Sequence, residues 1–294
     1  MDIRPQTMNR HELLKVSNEK ISRARKLRRK RLSIIFSIVG FLFVVGIVFF
    51  LRMKFLQLKN IEVTGNVVLE QKDIQYFINK KYEGKYLWLI PKNNTLFVLP
   101  KTVTKSLQKE FPRIDNISVR RNFPRSLSVD ITERKGVYVW CGNDIGISSV
   151  SKDIPCFFVD KEGIIFSEAP YFSGTPFVLF LGGEKNKDQI LGTQLLNQND
   201  FKNIILIYDV ISKLKLSPYA VLVLPDGEYE ILLRDGQYNF LNSPRIKLKD
   251  INDQIIISQN LAAALNTKIF KENKISDFSY IDLRFGNKVF YKLK

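Results

Sequence analysis

Few residues in this 294-residue chain can carry covalent or acid–base chemistry. There is a single histidine, His11, and it lies ahead of a long apolar run. The residues after that run contain none, which removes Ser-His-Asp and Cys-His catalysis there and most zinc sites. No G-x-x-x-x-G-K-[ST] phosphate loop occurs. Cys141 and Cys156 are the only cysteines. In an oxidising compartment they allow a disulfide closing a loop of about 15 residues, worth about 3 kcal/mol; two buried free thiols fit the spacing equally well. A catalytic thiol is disfavoured without a histidine partner. Asp160 and Glu162, in VDKEG, can be drawn as an acid pair, but Asp-Lys-Glu-Gly between FFV and IIF is turn chemistry joining two apolar strands. The expected inventory is therefore no catalytic residue, no cofactor and no metal.

Binding chemistry is better supplied. From Ile281 to Tyr291, alternation places Ile281, Leu283, Phe285, Val289 and Tyr291 on one face and Asp282, Arg284, Gly286, Lys288 and Phe290 on the other. Gly286-Asn287 reads as either a bulge or a tight turn. Such a strand can accept a peptide as an extra strand: backbone hydrogen bonds give affinity and side-chain pockets give specificity.

The elements that position these residues begin with Leu32–Leu51, twenty residues without a charge. About 20 apolar residues in a helix span the roughly 30 Å hydrocarbon core of a bilayer. Residues 1–31 hold eleven Lys or Arg against three acids, most of them in RARKLRRKR against the apolar run. Arg28, Arg29, Lys30 and Arg31 are thus topology determinants, predicting a cytoplasmic N-terminus and a body on the far side of the membrane. A cleaved signal peptide needs a shorter apolar core and a small-residue cleavage site, whereas RMKFLQLK stands here. The dense basic segment is explained by topology and by attraction to anionic lipids, so nucleic-acid binding is not expected. The remaining residues, with 35 basic and 26 acidic side chains, are only mildly basic. The predicted organisation is a basic tail (1–31), a transmembrane helix (32–51), a spacer (52–57), and two domains at 58–134 and 135–294.

In the first domain, LKNIEVTG alternates as a strand; Leu69, Ile74, Phe77 and Ile78 recur at helical spacing. TVTKSLQKEF, with Val103, Leu107 and Phe111 on one face, is a second helix between Pro100 and Pro112. IDNISVRRN and SLSVDITERK come next as strands, giving β-α-α-β-β. In the second domain, FFVDKEGIIF is a hairpin and NIILIYDVISKL (203–214) an amphipathic helix. AVLVLPDGEYEILLRDGQYNF reads as three antiparallel strands with turns at Asp226-Gly227 and Asp235-Gly236, and a helix is expected around KDINDQIIISQNLAAAL.

That order, together with NIEVTG (60–65), FPRIDNISVRRNFPRSLSVDITERKGVYVW, FFVDKEGIIF and the closing YIDLRFGNKVFYKLK, resembles the FtsQ/DivIB family of bacterial cell-division proteins. The resemblance implies an α+β fold: a single-pass anchor, a POTRA domain and a mixed, mostly antiparallel β domain with helices. It implies a non-enzymatic divisome scaffold at the septum. Partners would be FtsB/DivIC-like and FtsL-like bitopic proteins, with FtsW/FtsI-like septal synthases regulated indirectly. It places partner binding on Arg284, Phe285, Asn287, Lys288, Phe290 and Tyr291. The segment 175–192 has no residue-by-residue counterpart in the family. Two other readings compete: a membrane-anchored cell-wall enzyme, which needs paired carboxylates or an activated nucleophile in a cleft, and a POTRA-bearing secretion or assembly component, which predicts repeats or a barrel.

Overall fold

The computed structural model describes residues 10–142, 153–172, 174, 176–183, 190–234 and 240–294. Helix α1 (Arg10–Leu51) is one uninterrupted run of 42 residues, so the helix extends back from the apolar stretch through the basic segment. Its Arg28–Leu51 portion is long and apolar enough to cross a membrane. Large apolar side chains around this portion face outward, among them Phe36, Phe41, Phe43 and Phe49. A helix apolar on all sides suits lipid better than water.

The chain divides into two compact units, one of residues 1–62, 72–103 and 119–129, the other of residues 63–71, 104–118 and 130–294. A three-stranded sheet has the order β1-β5-β4. Strand β1 (Asn60–Thr64) buries Ile61 and Val63 at alternate positions. Helix α2 (Gln71–Lys81) buries Ile74 and Ile78, one turn apart. Helix α3 (Pro100–Glu110) buries Val103 and Leu107 at the same spacing, and Pro100 occupies its first position, where a missing N–H is harmless. Strands β4 (Ile114–Asn122) and β5 (Ser126–Glu133) complete the expected β-α-α-β-β order. The structure adds a short hairpin between the helices, β2 (Lys85–Tyr86) with β3 (Ile90–Pro91).

The second unit contains a nine-stranded mixed sheet, order β14-β13-β12-β11-β10-β9-β6-β7-β8. Its members are β6 (Tyr138–Trp140), β7 (Cys156–Val159), β8 (Ile165–Ala169), β9 (Val178–Gly182), β10 (Pro218–Val223), β11 (Tyr229–Leu233), β12 (Arg245–Leu248), β13 (Phe278–Phe285) and β14 (Lys288–Leu293). Three neighbours run parallel, β6/β9, β9/β10 and β12/β13; the rest are antiparallel. Parallel pairs need crossovers. Helix α4 (Gln198–Lys213) bridges β9 to β10, and helices α5 (Gln254–Leu265) and α6 (Lys268–Glu272) bridge β12 to β13. Asn197 caps α4, its side chain accepting from the Asp200 N–H at 3.0 Å.

The main core joins α4 residues Phe201, Ile204, Ile207 and Ile211 to Val221, Ile231, Ile246 and Ile281 of the sheet. A second cluster, with Leu181, Tyr219, Leu222 and Leu232, covers the other face. Buried on both faces, β10 reads as the continuous apolar run PYAVLV. The β10–β11 turn sits at Asp226-Gly227, where Gly227 has φ +78°. Asp235-Gly236 lies outside the described residues. Of the expected third strand QYNF, only Phe240 is among the described residues, and it is buried in a turn; strand β12 pairs antiparallel with β11, its alternation RIKL burying Ile246 and Leu248. Cys141 and Cys156 are joined in a disulfide, Cα atoms 4.1 Å apart, one step beyond the Trp140/Phe157 pair of β6 and β7.

Candidate functional site

The segment Ile281–Tyr291 is a hairpin, not a single strand. Phe285 pairs with Lys288, leaving Gly286-Asn287 as a two-residue turn with Gly286 at φ +61°. Glycine at the first central position is what a II′ hairpin needs. Strand β14 is the terminal strand of the nine-stranded sheet: β13 pairs with one of its edges, and among the described residues no strand covers the other. Lys288, Phe290, Tyr291 and Lys292 on it are exposed. A charged, exposed edge strand can be kept from indiscriminate pairing while remaining open to a specific one.

Simple alternation fails at one point. Asp282 opposes Phe290, and Phe285 opposes Lys288, so β13 spends three steps where β14 spends two. The extra residue is a β-bulge, which re-aims the side chains beyond it. Ile281 and Leu283 point into the main core as expected. Phe285, expected on their face, instead meets Phe290 edge-to-face with centroids 5.2 Å apart. Tyr291 stays with the core-side aromatics, 5.5 Å from Phe270 and 5.9 Å from Phe278. The edge therefore presents an exposed Phe285–Phe290 pair beside Lys288 and Asn287.

Arg284 holds the bulge. Its Nε donates to Asp282 Oδ1 at 2.9 Å, its Nη2 to Asp282 Oδ2 at 2.6 Å and its Nη1 to Glu228 Oε2 at 2.6 Å. Its backbone N–H also donates to Asp282 Oδ1 at 3.1 Å. Burial pushes the Asp282 carboxyl up, but the hydrogen bonds from Arg284 outweigh it and leave that carboxyl below its ordinary value. The same bonds hold the guanidinium protonated. A partly buried guanidinium calls for a counter-charge, and here the chain itself supplies two. The charged face continues through Lys249 near Glu228 at 3.6 Å and Arg245 with Glu230 at 2.8 Å. Lys247 lies over the Tyr280 ring at 4.9 Å. Glu228 is the residue the sequence does not disclose: it lies 56 positions from Arg284 and joins the site only because β11 and β13 flank β12.

The acidic candidates gather elsewhere. Asp115, Asp160 and Glu162 have carboxylate oxygens within 4.8 Å of one another. The Arg134 guanidinium sits among them, paired with Asp160, 3.2 Å from Asp115 and 3.6 Å from Glu162. A guanidinium stands where a cation would otherwise be required. Asp160 Oδ1 also accepts from the N–H groups of Glu162 and Ile164, at 2.9 and 2.8 Å, which is turn-forming work. Gly163 closes that turn at φ +85°, where an added Cβ would lie 2.8 Å from the Phe201 ring. The neighbouring Glu133 Oε1 accepts the N–H groups of Val67, Val68 and Leu69 at 2.7–2.9 Å. Burial raises its pKa, but those bonds and nearby Arg113 bring it below the ordinary value. The Glu-Arg pair closing β5 thus ties down one loop with Glu133 and one carboxylate cluster with Arg134. Arg28, Arg29, Lys30 and Arg31 are exposed along α1.

Residues 56–134 match the FtsQ-type POTRA domain. The chain is similar to two proteins named cell division protein DivIB. That of Clostridium botulinum (strain Loch Maree / Type A3) is 23% identical over 273 residues, 90% of this chain and 94% of the relative. That of Clostridium acetobutylicum is 24% identical over 249 residues, 83% and 86% respectively. A third, the DivIB of Brevibacillus brevis, is 27% identical over 126 residues, 42% of this chain and 43% of the relative.

Proposed function

We infer that this chain, which belongs to the FtsQ/DivIB family of bacterial cell-division proteins, is a membrane-anchored divisome scaffold that works by binding and not by catalysis. The proposed organisation is a cytoplasmic basic tail, the span, a POTRA domain over 58–134 and a β domain over 135–294 outside the cytoplasm, positioned at the division septum. Strand β14 accepts a segment of an FtsB/DivIC-like protein, itself paired with an FtsL-like one, and through them the scaffold influences FtsW/FtsI-like septal synthases.

One observation carries the reading: the terminal strand of the sheet has an uncovered edge bearing Lys288, Phe290 and Tyr291, next to Phe285 and Asn287 at the turn. An added strand would gain backbone hydrogen bonds along β14, and the Phe285–Phe290 pair offers it an apolar anchor of the kind that dominates interface energetics. Arg284 serves this surface from beneath, fixing the bulge that turns Phe285 toward Phe290.

Lys288→Glu and Phe290→Asp test it, because both side chains are exposed. Each variant should keep the wild-type fold by circular dichroism and lose co-purification with the FtsB/DivIC-like partner; undiminished co-purification sinks the idea. A fluorescent fusion should gather at midcell in dividing cells, and uniform membrane label would count against the septal role.

A further inference from the structure

In the first unit, the β2–β3 hairpin displays an exposed apolar tip of its own. Its turn is closed by the Leu89 N–H donating to the Tyr86 carbonyl at 2.9 Å. The two central residues, Leu87 and Trp88, have φ values of +46° and +65°. Turns of this hand favour Asn and Gly, because a bulky side chain at positive φ is strained. Strain of this kind, held at a turn tip, points to a use for the side chains it displays. Both are almost wholly exposed, Leu87 at 87% and Trp88 at 90%, with Tyr86 and Leu89 exposed beside them. A soluble surface seldom leaves such a cluster open to water.

The hairpin lies at the end of the membrane helix. Strand β3 comes within 8 Å of α1, Cα to Cα. The Asn94 side chain donates to the carbonyl of Leu51, the last residue of α1, at 2.8 Å. Gln57 bridges to Asn94, and Val48 and Leu51 are only half exposed while the rest of the apolar run is open. Met53, Phe55 and Phe123 add exposed apolar surface, with Phe55 and Phe123 in edge-to-face contact at 6.3 Å. Cations ring this surface: Arg52, Lys54 and Lys85 are exposed, and Lys92 lies over the Tyr86 ring at 5.7 Å. Trp and Tyr among apolar residues, flanked by Lys and Arg, is the composition that settles at the head-group level of a bilayer.

We propose that the tip of the β2–β3 hairpin inserts into the interfacial layer of the leaflet in which α1 ends. Leu87, Trp88 and Leu89 enter among the upper acyl chains, while Lys85, Lys92, Arg52 and Lys54 meet lipid phosphates. The membrane is the occupant favoured over a protein because the patch is continuous with the end of the span and carries the charge that head groups attract. The interfacial layer is roughly 5–8 Å deep on each side of the hydrocarbon core, which suits a hairpin resting on the last turn of α1. The proposal rests on reading α1 as a membrane span.

The full chain in nanodiscs of phosphatidylcholine and phosphatidylglycerol, with the phosphatidylcholine brominated high on its acyl chains, tests this. The difference in emission between wild type and Trp88→Phe isolates Trp88 from the buried Trp140. Trp88 emission should be blue-shifted and lose more than half its intensity to the brominated lipid. Leu87→Ser should weaken that quenching without changing the fold, both side chains being at the surface. Water-like Trp88 emission, indifferent to bromine in a chain that co-elutes with the disc, overturns the proposal. So does a blue shift that appears only on adding a partner protein. A chain that fails to co-elute with the disc shows instead that the spanning reading of α1 is at fault, and the proposal falls with it.

Discussion

Replacing Arg284 by Met removes the cation that Asp282 and Glu228 share while keeping most of the side chain's bulk. The two carboxylate side chains are 6% and 13% exposed, and the guanidinium 26%. Breaking a fully buried ion pair from one side costs about 3–5 kcal/mol. The partial exposure of Arg284 reduces that, as does Lys249, which stays 3.6 Å from Glu228. A loss of about 2–3 kcal/mol remains. With a urea slope of about 2–3 kcal/mol/M, the unfolding midpoint should fall by about 1 M. Trp140 is a suitable reporter, buried in the same sheet with its indole N–H donating to the Gly182 carbonyl at 2.8 Å. The informative comparison is the double variant Asp282→Asn/Arg284→Met. Amide in place of carboxylate removes the unpaired buried charge, so the double variant should be more stable than Arg284→Met alone. Co-purification with the partner separates positioning from contact. If Arg284 only shapes the bulge, binding lost in the single variant should return in part with the double. A midpoint within about 0.3 M of wild type for Arg284→Met, or a double variant no better than the single, would refute the clamp.

The same geometry makes three other outcomes measurable. The Asp282 carboxyl titrates below its unfolded value near 3.8, so its contribution is present above that pH and is lost as pH falls through the depressed folded value; acid unfolding below about pH 4 should be shallower in Asp282→Asn. Arg134→Met should cost about 3 kcal/mol by leaving Asp160 without its cation, and neither chelator nor added Ca²⁺ should move the wild-type urea midpoint. Cys141→Ser/Cys156→Ser should lose about 3 kcal/mol, and reductant should reproduce that loss in the wild type while leaving the double variant unchanged.

Helices α2 and α3 are legible in the sequence because their buried side chains, Ile74/Ile78 and Val103/Leu107, recur one turn apart, and prolines bracket α3. Strands β4 and β5 are legible from alternation between turn residues. Hairpin β2–β3 is not, for two reasons: each strand has two residues, and Leu87 and Trp88 are types that advertise strands or helices and not left-handed turns. At the candidate edge, alternation correctly sends Ile281 and Leu283 inward. It fails at Phe285 because a bulge adds a residue without changing any residue type. Arg284 stands out as a charge in an apolar strand, but its partner Glu228 comes from a hairpin far away in the chain, and only the strand order β11-β12-β13 brings them together. The Glu133-Arg134 pair is visible as a signature; that it secures a backbone loop and a triad of carboxylates is visible only in three dimensions.

The parallel seams in the nine-stranded sheet bear on how quickly it can form. The antiparallel sets β6-β7-β8, β10-β11-β12 and β13-β14 are each built from strands close in sequence, or nearly so, and can assemble early. Joining them requires β9 to lie between β6 and β10, and β13 to lie beside β12, across connections that contain α4 and α5–α6. Loop-closure entropy is spent before those long-range contacts return anything. Closure of the seams, timed by docking of α4 onto the sheet, should therefore set the folding rate. Until β12 and β13 have met, the hairpin that carries β14 has no sheet to terminate, so binding competence should appear with the slowest folding phase and not with the fastest.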